Sequence, residues 1–177
     1  SKFGKVYDLK NSQISVELNY SKVIRVNIVG EVSSPGTYTV PSINPVFNIL
    51  PLAGGVTKNG TVRNIEIRRG GKVVNTLDVY KFLQNPDADN NFYLMDNDYV
   101  VVGTATTVVK LGGAVLRTAS YELKDGEGVN ELIKYAGGFL PSAYTKRINL
   151  YRFNNNRDEL FEVDYQKLTD KKINYEL

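Results

Sequence analysis

Two places in this sequence come nearest to reactive chemistry: Asp96 with Asp98, two positions apart, and the acidic run Asp87-Ala88-Asp89-Asn90-Asn91. Paired carboxylates hydrolyse glycosidic bonds when one serves as acid and the other as base or nucleophile. Alternating oxygen ligands with glycine at position six and glutamate at position twelve hold calcium. Neither pattern is completed. Counted from Asp87, position six is Phe92 and position twelve is Asp98, so the run reads as a polar loop with local Asx turns. Asp96 and Asp98 lead into Tyr99-Val100-Val101-Val102, aromatic and β-branched residues typical of a buried strand, and read as the turn that enters it. Ser-Lys neighbours such as Ser21-Lys22 lack any supporting nucleophile motif. The glycine pairs fit neither G-x-x-x-x-G-K-[ST] nor G-x-G-x-x-G. Histidine and cysteine are absent. That excludes imidazole acid–base catalysis, thiolate nucleophiles, Cys/His zinc sites, iron–sulfur ligation and disulfides together. The expectation is a non-enzyme, with no catalytic residues, no metal and no cofactor.

Surface chemistry remains. Lys plus Arg is 22 and Asp plus Glu is 19, a net charge of +3, too mild an excess to indicate nucleic acid. Hydrophobic residues at 42% and charged residues at 23% are a globular composition. Arg63, Arg68, Arg69 and Lys72 gather in one stretch, and Lys146, Arg147, Arg152 and Arg157 in another. Twelve tyrosines stand beside no tryptophan. Most read as half-buried strand residues; Tyr7, Tyr20, Tyr144, Tyr151 and Tyr175 are candidates to face a partner or a sugar, having a flat apolar face and a polar tip. No apolar run approaches the roughly 20 residues of a spanning helix, and the sequence opens on a serine without a signal-peptide pattern. The expectation is a fragment of a longer protein.

The elements that position these residues come in two copies. A shift of 83 places Gly30 on Gly113, Val32 on Val115, Tyr38 on Tyr121, Val46 on Val129, Ala53-Gly54-Gly55 on Ala136-Gly137-Gly138, Ile65 on Ile148 and Arg69 on Arg152. Nine of forty columns are identical over 30–69 against 113–152 without a gap, enough to identify an internal duplication. Arg63 falls on Lys146. Three residues then enter the second copy, bringing Asp78 onto Asp164, and Leu177 falls on Leu94. The first copy continues into the strand at Tyr99 to Val102; the second stops before its counterpart. Either a longer chain continues there or a partner supplies the strand by edge addition, and the first is the favoured expectation.

In the first copy, Val26 to Val32 alternates as a half-buried strand, Ser33-Ser34-Pro35-Gly36 turns the chain, and Thr37 to Val40 returns. Asn44-Pro45 reads as helix cap and first helical residue, followed by a core-facing stripe of Val46, Ile49, Leu50 and Ala53. Pro51 is expected to kink or shorten that helix, and Gly54-Gly55 to end it. A hairpin over Val62 to Arg68 and Lys72 to Leu77, a short helix capped by Asp78 and a last strand complete the unit. The second copy predicts strands over 108–115 and 120–123, a helix over 129–136 and a hairpin over 148–163. The fold class is therefore α+β, with the element order of a β-grasp (ubiquitin-like) unit in which a mixed sheet wraps one helix. The domains are 1–21, the tail of a preceding domain or linker; 22–103; and 104–177, truncated before its last strand.

The string Val26 to Val40, VNIVGEVSSPGTYTV, with Ala53-Gly54-Gly55, Arg63 to Arg69, Asp78-Val79-Tyr80 and Leu94 through Val102, resembles the SLBB (soluble-ligand-binding β-grasp) domain. It is closest in pattern to the tandem SLBB repeats of bacterial outer-membrane polysaccharide export proteins, over residues 22–177. The second copy departs by carrying Thr118-Ala119 where the first has Pro35-Gly36. The resemblance implies a non-catalytic periplasmic module, at the periplasmic face of the outer membrane, stacked in the wall of a ring-shaped homo-oligomer through which capsular or extracellular polysaccharide passes. It implies copies of itself, the polymer and an inner-membrane polysaccharide co-polymerase as partners, and no nucleic acid. Arg63, Arg68, Arg69, Lys146, Arg147 and Arg152 are then the candidate polysaccharide or subunit contacts, by attraction of an acidic polymer, against the reading that they are solvated charges protecting a sheet edge. The alternative function is a saccharide- or small-ligand-binding module without a transport role.

Overall fold

The computed structural model describes residues 22–85, 92–154 and 157–171. The readings made for 1–21, for Asp87 to Asn91, for Leu177 and for Tyr7, Tyr20 and Tyr175 lie outside the described residues. The architecture is mixed α+β, rich in strands and with few, short helices.

The first repeat runs β1 (Val23–Gly30), β2 (Gly36–Pro41), α1 (Val46–Ile49) continued by a 3-10 turn (Leu50–Ala53), β3 (Gly60–Arg69), β4 (Lys72–Leu77), α2 (Val79–Gln84) and β5 (Tyr99–Thr104). Its five strands are ordered β2-β1-β5-β3-β4, so the last strand enters the centre of the sheet. There β5 runs parallel to β1 and antiparallel to β3. Alternation explains the core: Val26, Ile28, Ile65, Ile67 and Val100 share the inward register and are wholly buried, packed with Val46, Ile49 and Ala53 of the helical segment. Gly30 lies so close to the neighbouring strand that a Cβ there would fall on the Val102 carbonyl oxygen, and its φ of 92° is one that side chains avoid.

The helix departs from expectation at its start. Asn44 does not cap it; the cap position is Pro45, extended and without a side-chain bond. The Val46 N–H instead donates to the Phe92 carbonyl at 3.2 Å, and Pro45 bridges to Tyr93. The segment before β5 thus satisfies the helix end that Asn44 would have satisfied. Pro51 shortens the α-helix to four residues and the chain tightens to 3-10 geometry, ending at Gly54 in the left-handed region. Asp78 does cap α2, accepting from the Tyr80 and Lys81 amides.

The second repeat runs β6 (Thr107–Leu111), β7 (Ala119–Leu123), α3 (Val129–Tyr135), β8 (Ile148–Asn154), β9 (Arg157–Val163) and α4 (Tyr165–Lys171). Its first strand stops at Leu111 instead of reaching Val115, because Gly112-Gly113 interrupts it; Val115 makes an isolated bridge to Phe139, as Val32 does to Val56 83 residues earlier. The duplication extends to single bonds. Tyr38 donates to the Ser34 carbonyl at 2.5 Å and Tyr121 to the Arg117 carbonyl at 2.8 Å. The Ser34 amide reaches the Ala53 carbonyl and the Arg117 amide the Ala136 carbonyl. One bond across the turn and one to the end of the helix hold the segment containing Thr118-Ala119 without the Pro-Gly pair.

One difference is large. Among the described residues, β6–β7 and β8–β9 form separate two-stranded ladders, with no strand joining them as β5 joins β1 to β3. Val109, Leu111, Ile148 and Leu150, the counterparts of four wholly buried residues, are only half-buried. A cavity of about 480 Å³ separates β6 from β8 above α3, and a Cβ at Gly113 would meet nothing within 4 Å.

Candidate functional site

The most concentrated polar chemistry lies where the repeats meet. On β3, residues alternate between core and solvent, and Arg63 falls in the inward register with Ile65 and Ile67. A cation there must find partners, because a bare buried charge is expensive. Arg63 is 2% exposed, and its five N–H groups are all used. Nε donates to Asp78 Oδ1 at 3.0 Å; Nη1 to the Glu122 carbonyl at 3.0 Å and Glu127 Oε2 at 2.7 Å; Nη2 to Glu127 Oε1 at 2.8 Å and the Tyr135 hydroxyl at 3.2 Å. The forked pair with Glu127 is the strong bidentate kind. The guanidinium also lies 4.6 Å from the ring centre of Tyr80 and 5.0 Å from that of Tyr135.

Local structure delivers these partners. Asp78 comes with the start of α2, and besides capping that helix it accepts from Lys124 Nζ at 2.7 Å. Glu127 sits in the turn before α3, where Oε2 accepts the Lys124 amide and Oε1 the Tyr135 hydroxyl. Glu122 on β7 reaches back to β3, accepting the Thr61 hydroxyl at 2.5 Å and the Val62 amide at 2.7 Å, while its own amide donates to the Tyr80 hydroxyl. Tyr80, from the first repeat, packs into the hydrophobic cluster of the second and meets Tyr121 and Tyr135 edge-on.

The electrostatics follow. Burial alone would raise the Glu127 carboxyl, but hydrogen bonds from Arg63, the Lys124 amide and Tyr135 outweigh it and bring the pKa down to about 2. Asp78 is lowered for the same reason: burial opposes, and Lys124 and Arg63 prevail. Burial would lower Arg63, yet its bonds to Glu127 and Asp78 hold it above the ordinary arginine value. Burial and the bond to Glu127 push Tyr135 up to about 12. The arrangement fixes charges and moves no proton at neutral pH.

The other sequence-derived candidates are dispersed. Arg69 grips wholly buried Asp98 with two bonds of 2.8 Å, and Asp98 also accepts the Met95 amide; the bond to Asp98 raises Arg69 against its slight burial. Arg68 is exposed and pairs with Glu66 on its own strand. Arg147 is exposed and pairs with Glu162 at 2.6 Å; Lys146 and Arg152 are exposed on the same repeat. Arg63 leaves the set of polymer contacts, since its donors are spent inside the chain. The carboxylates Asp96 and Asp98 do not face a common substrate space: Asp96 accepts the Arg25 amide and Asn97 Nδ2, and Asp98 is sealed by Arg69. They lock the turn into β5.

A family model describing the SLBB domain matches the chain twice, over residues 25–76 and 108–160. The chain belongs to the SLBB domain family. Two curated relatives, each named polysialic acid transport protein KpsD from Escherichia coli, are 27% identical over 138 residues, covering 77% of this chain and 24% of their own length. The chain spans about a quarter of the relatives it matches. No helix among the described residues is long and apolar enough to cross a membrane.

In these SLBB repeats, sequence reasoning saw Asp78 as a cap and Tyr121 as core but missed Glu122, Lys124, Glu127 and Tyr135. One signal was available: the alternation Arg63, Ile65, Ile67 sets a cation in the core register, and a buried cation requires carboxylates from elsewhere in the chain.

Proposed function

We propose that this chain is a non-catalytic structural module of a bacterial polysaccharide export protein, acting at the periplasmic face of the outer membrane. The observation that carries the reading is the Arg63 joint, taken with the similarity to the KpsD proteins. A buried, fully bonded cation between repeats is what a wall element needs, since it fixes one unit against the next and leaves no reactive group. Each repeat is read as a β-grasp unit whose sheet wraps its helical segment, with the domains at 22–103 and 104–177 and residues 1–21 as tail or linker. In the whole protein the module packs against copies of itself in a ring that conducts capsular or extracellular polysaccharide, fed by an inner-membrane co-polymerase. The exposed cations Arg68, Lys146, Arg147 and Arg152 are the surface offered to neighbouring subunits or to an acidic polymer, with Arg69 braced behind them by Asp98.

The test is genetic and structural together. Deleting the gene in its native host should abolish surface polysaccharide while synthesis continues, and the purified full-length protein should form closed rings in electron micrographs. Normal surface polysaccharide in the deletion strain, with a monomeric full-length protein in membranes, overturns the reading.

A further inference from the structure

Beside the joint, on the side of α2, lies a cleft of about 770 Å³ built from both repeats. Tyr80, Leu83 and Gln84 come from α2, and Arg117, Lys134 and Tyr135 from the second repeat. Its size lies in the range of small-ligand sites. No lining residue among the described residues is acidic, although acids are plentiful nearby in the joint. Arg117 Nη2 donates to the Tyr135 carbonyl at 3.0 Å, which holds the guanidinium against the wall. Neither Arg117 nor Lys134 has a carboxylate partner among the described residues. Both are exposed, and Leu83 is 65% exposed at the rim.

The duplication separates what the scaffold needs from what it does not. Scaffold residues recur 83 positions on, as Tyr38 and Tyr121 do with the same hydrogen bond. The two cations and Tyr135 do not recur, although Tyr121 of the same lining does: Arg117 stands where the first repeat has Ser34, Lys134 where it has Pro51, and Tyr135 where it has Leu52. Both cations are therefore additions to the fold at one place, and they converge on tyrosine rings whose positions Arg63 fixes.

We propose that this cleft binds a carboxylated saccharide, an inference that rests on the polysaccharide reading above. The carboxylate would sit on Arg117 and Lys134, arginine offering the planar two-donor geometry that carboxylates match. The apolar C–H face of a sugar ring would lie on Tyr80 or Tyr135, and the Gln84 amide would meet hydroxyl groups.

The experiment is titration of the 177-residue chain, by calorimetry and by amide chemical shifts, with tetrameric sialic acid and trigalacturonic acid. Neutral maltotetraose and a glutamate tetrapeptide serve as controls. The expected result is saturable binding of at least one acidic saccharide, with shifts centred on Tyr80, Arg117 and Tyr135, and at least tenfold weaker binding of both controls. Arg117→Ala with Lys134→Ala should weaken acidic-saccharide binding at least tenfold while leaving the thermal midpoint in place, and Lys58→Ala, at an exposed lysine outside the cleft, should leave binding unchanged. Equal binding of maltotetraose or the peptide, no binding of either acidic saccharide, or an unaffected double variant overturns the proposal. The export reading is judged separately: a deletion strain that loses surface polysaccharide keeps it even if the cleft binds nothing.

Discussion

Arg63 is a residue whose cost and contribution are both large. Removing it would leave Glu127 and Asp78 facing each other without their central cation, and breaking a buried pair in this way costs about 3–5 kcal/mol. Arg63→Ala is expected to lower the urea unfolding free energy by that amount. Arg63→Lys should recover little of it, because an ammonium lacks the fork that reaches both Glu127 oxygens and the Glu122 carbonyl. The same cluster sets a pH dependence. Glu127 falls from 4.5 to about 2 on folding. Its stabilisation, of the order of 3 kcal/mol, is complete above pH 4.5 and is lost as pH drops towards 2. Asp78 acts in the same direction. Acid unfolding followed by circular dichroism should show this limb, and Glu127→Gln should flatten it while lowering stability at neutral pH. Tyr135 adds an alkaline counterpart: raised from 10.0 to about 12, it contributes below pH 10 and loses that contribution as pH rises through 12.

At the scale of elements, the two repeats are an internal control for what a central strand does. Ile65 and Ile148 occupy equivalent strand positions, but among the described residues only Ile65 pairs with a central strand, β5, and is wholly buried. Ile65→Ala is expected to cost about 2–5 kcal/mol and Ile148→Ala about 1–2 kcal/mol, as read from denaturant midpoints of the chain. Much of this level was legible beforehand, because it rests on local signals: period-two alternation on β1 and β3, glycine at the left-handed positions 54 and 55, and Asp78 two and three residues before the amides it caps. What was not legible depends on residues far apart in the chain. Asn44 carries the chemistry of a cap, yet Phe92 took that place through its carbonyl. The joint brings Arg63 to Glu127 and Tyr135 across more than sixty positions, and nothing within a window of local sequence marks Glu127 as other than a loop acid. Among the basic residues, charge alone did not distinguish Arg63, spent inside the protein, from Arg68 or Arg147, which face solvent.

For the whole molecule, the joint turns two small cores into one cooperative body. Buried bonds from β3 to Glu122 and Glu127, together with Tyr80 seated in the second cluster, couple unfolding of one repeat to the other. The intact chain is expected to melt in one calorimetric transition. Arg63→Ala combined with Glu122→Ala should divide it into two, the less stable belonging to the repeat whose ladders stay apart; a single sharp transition in that variant would count against coupling through the joint. The placement of β5 bears on how such a body comes into being. Since translation runs from β1 forward, the piece that welds the two hairpins of the first repeat together is made last, some seventy residues after β1 has appeared. Until then both hairpins carry bare backbone edges and unsheltered valines and isoleucines. Newly made protein therefore passes through an interval in which it is sticky by construction, before the closing strand can shelter it.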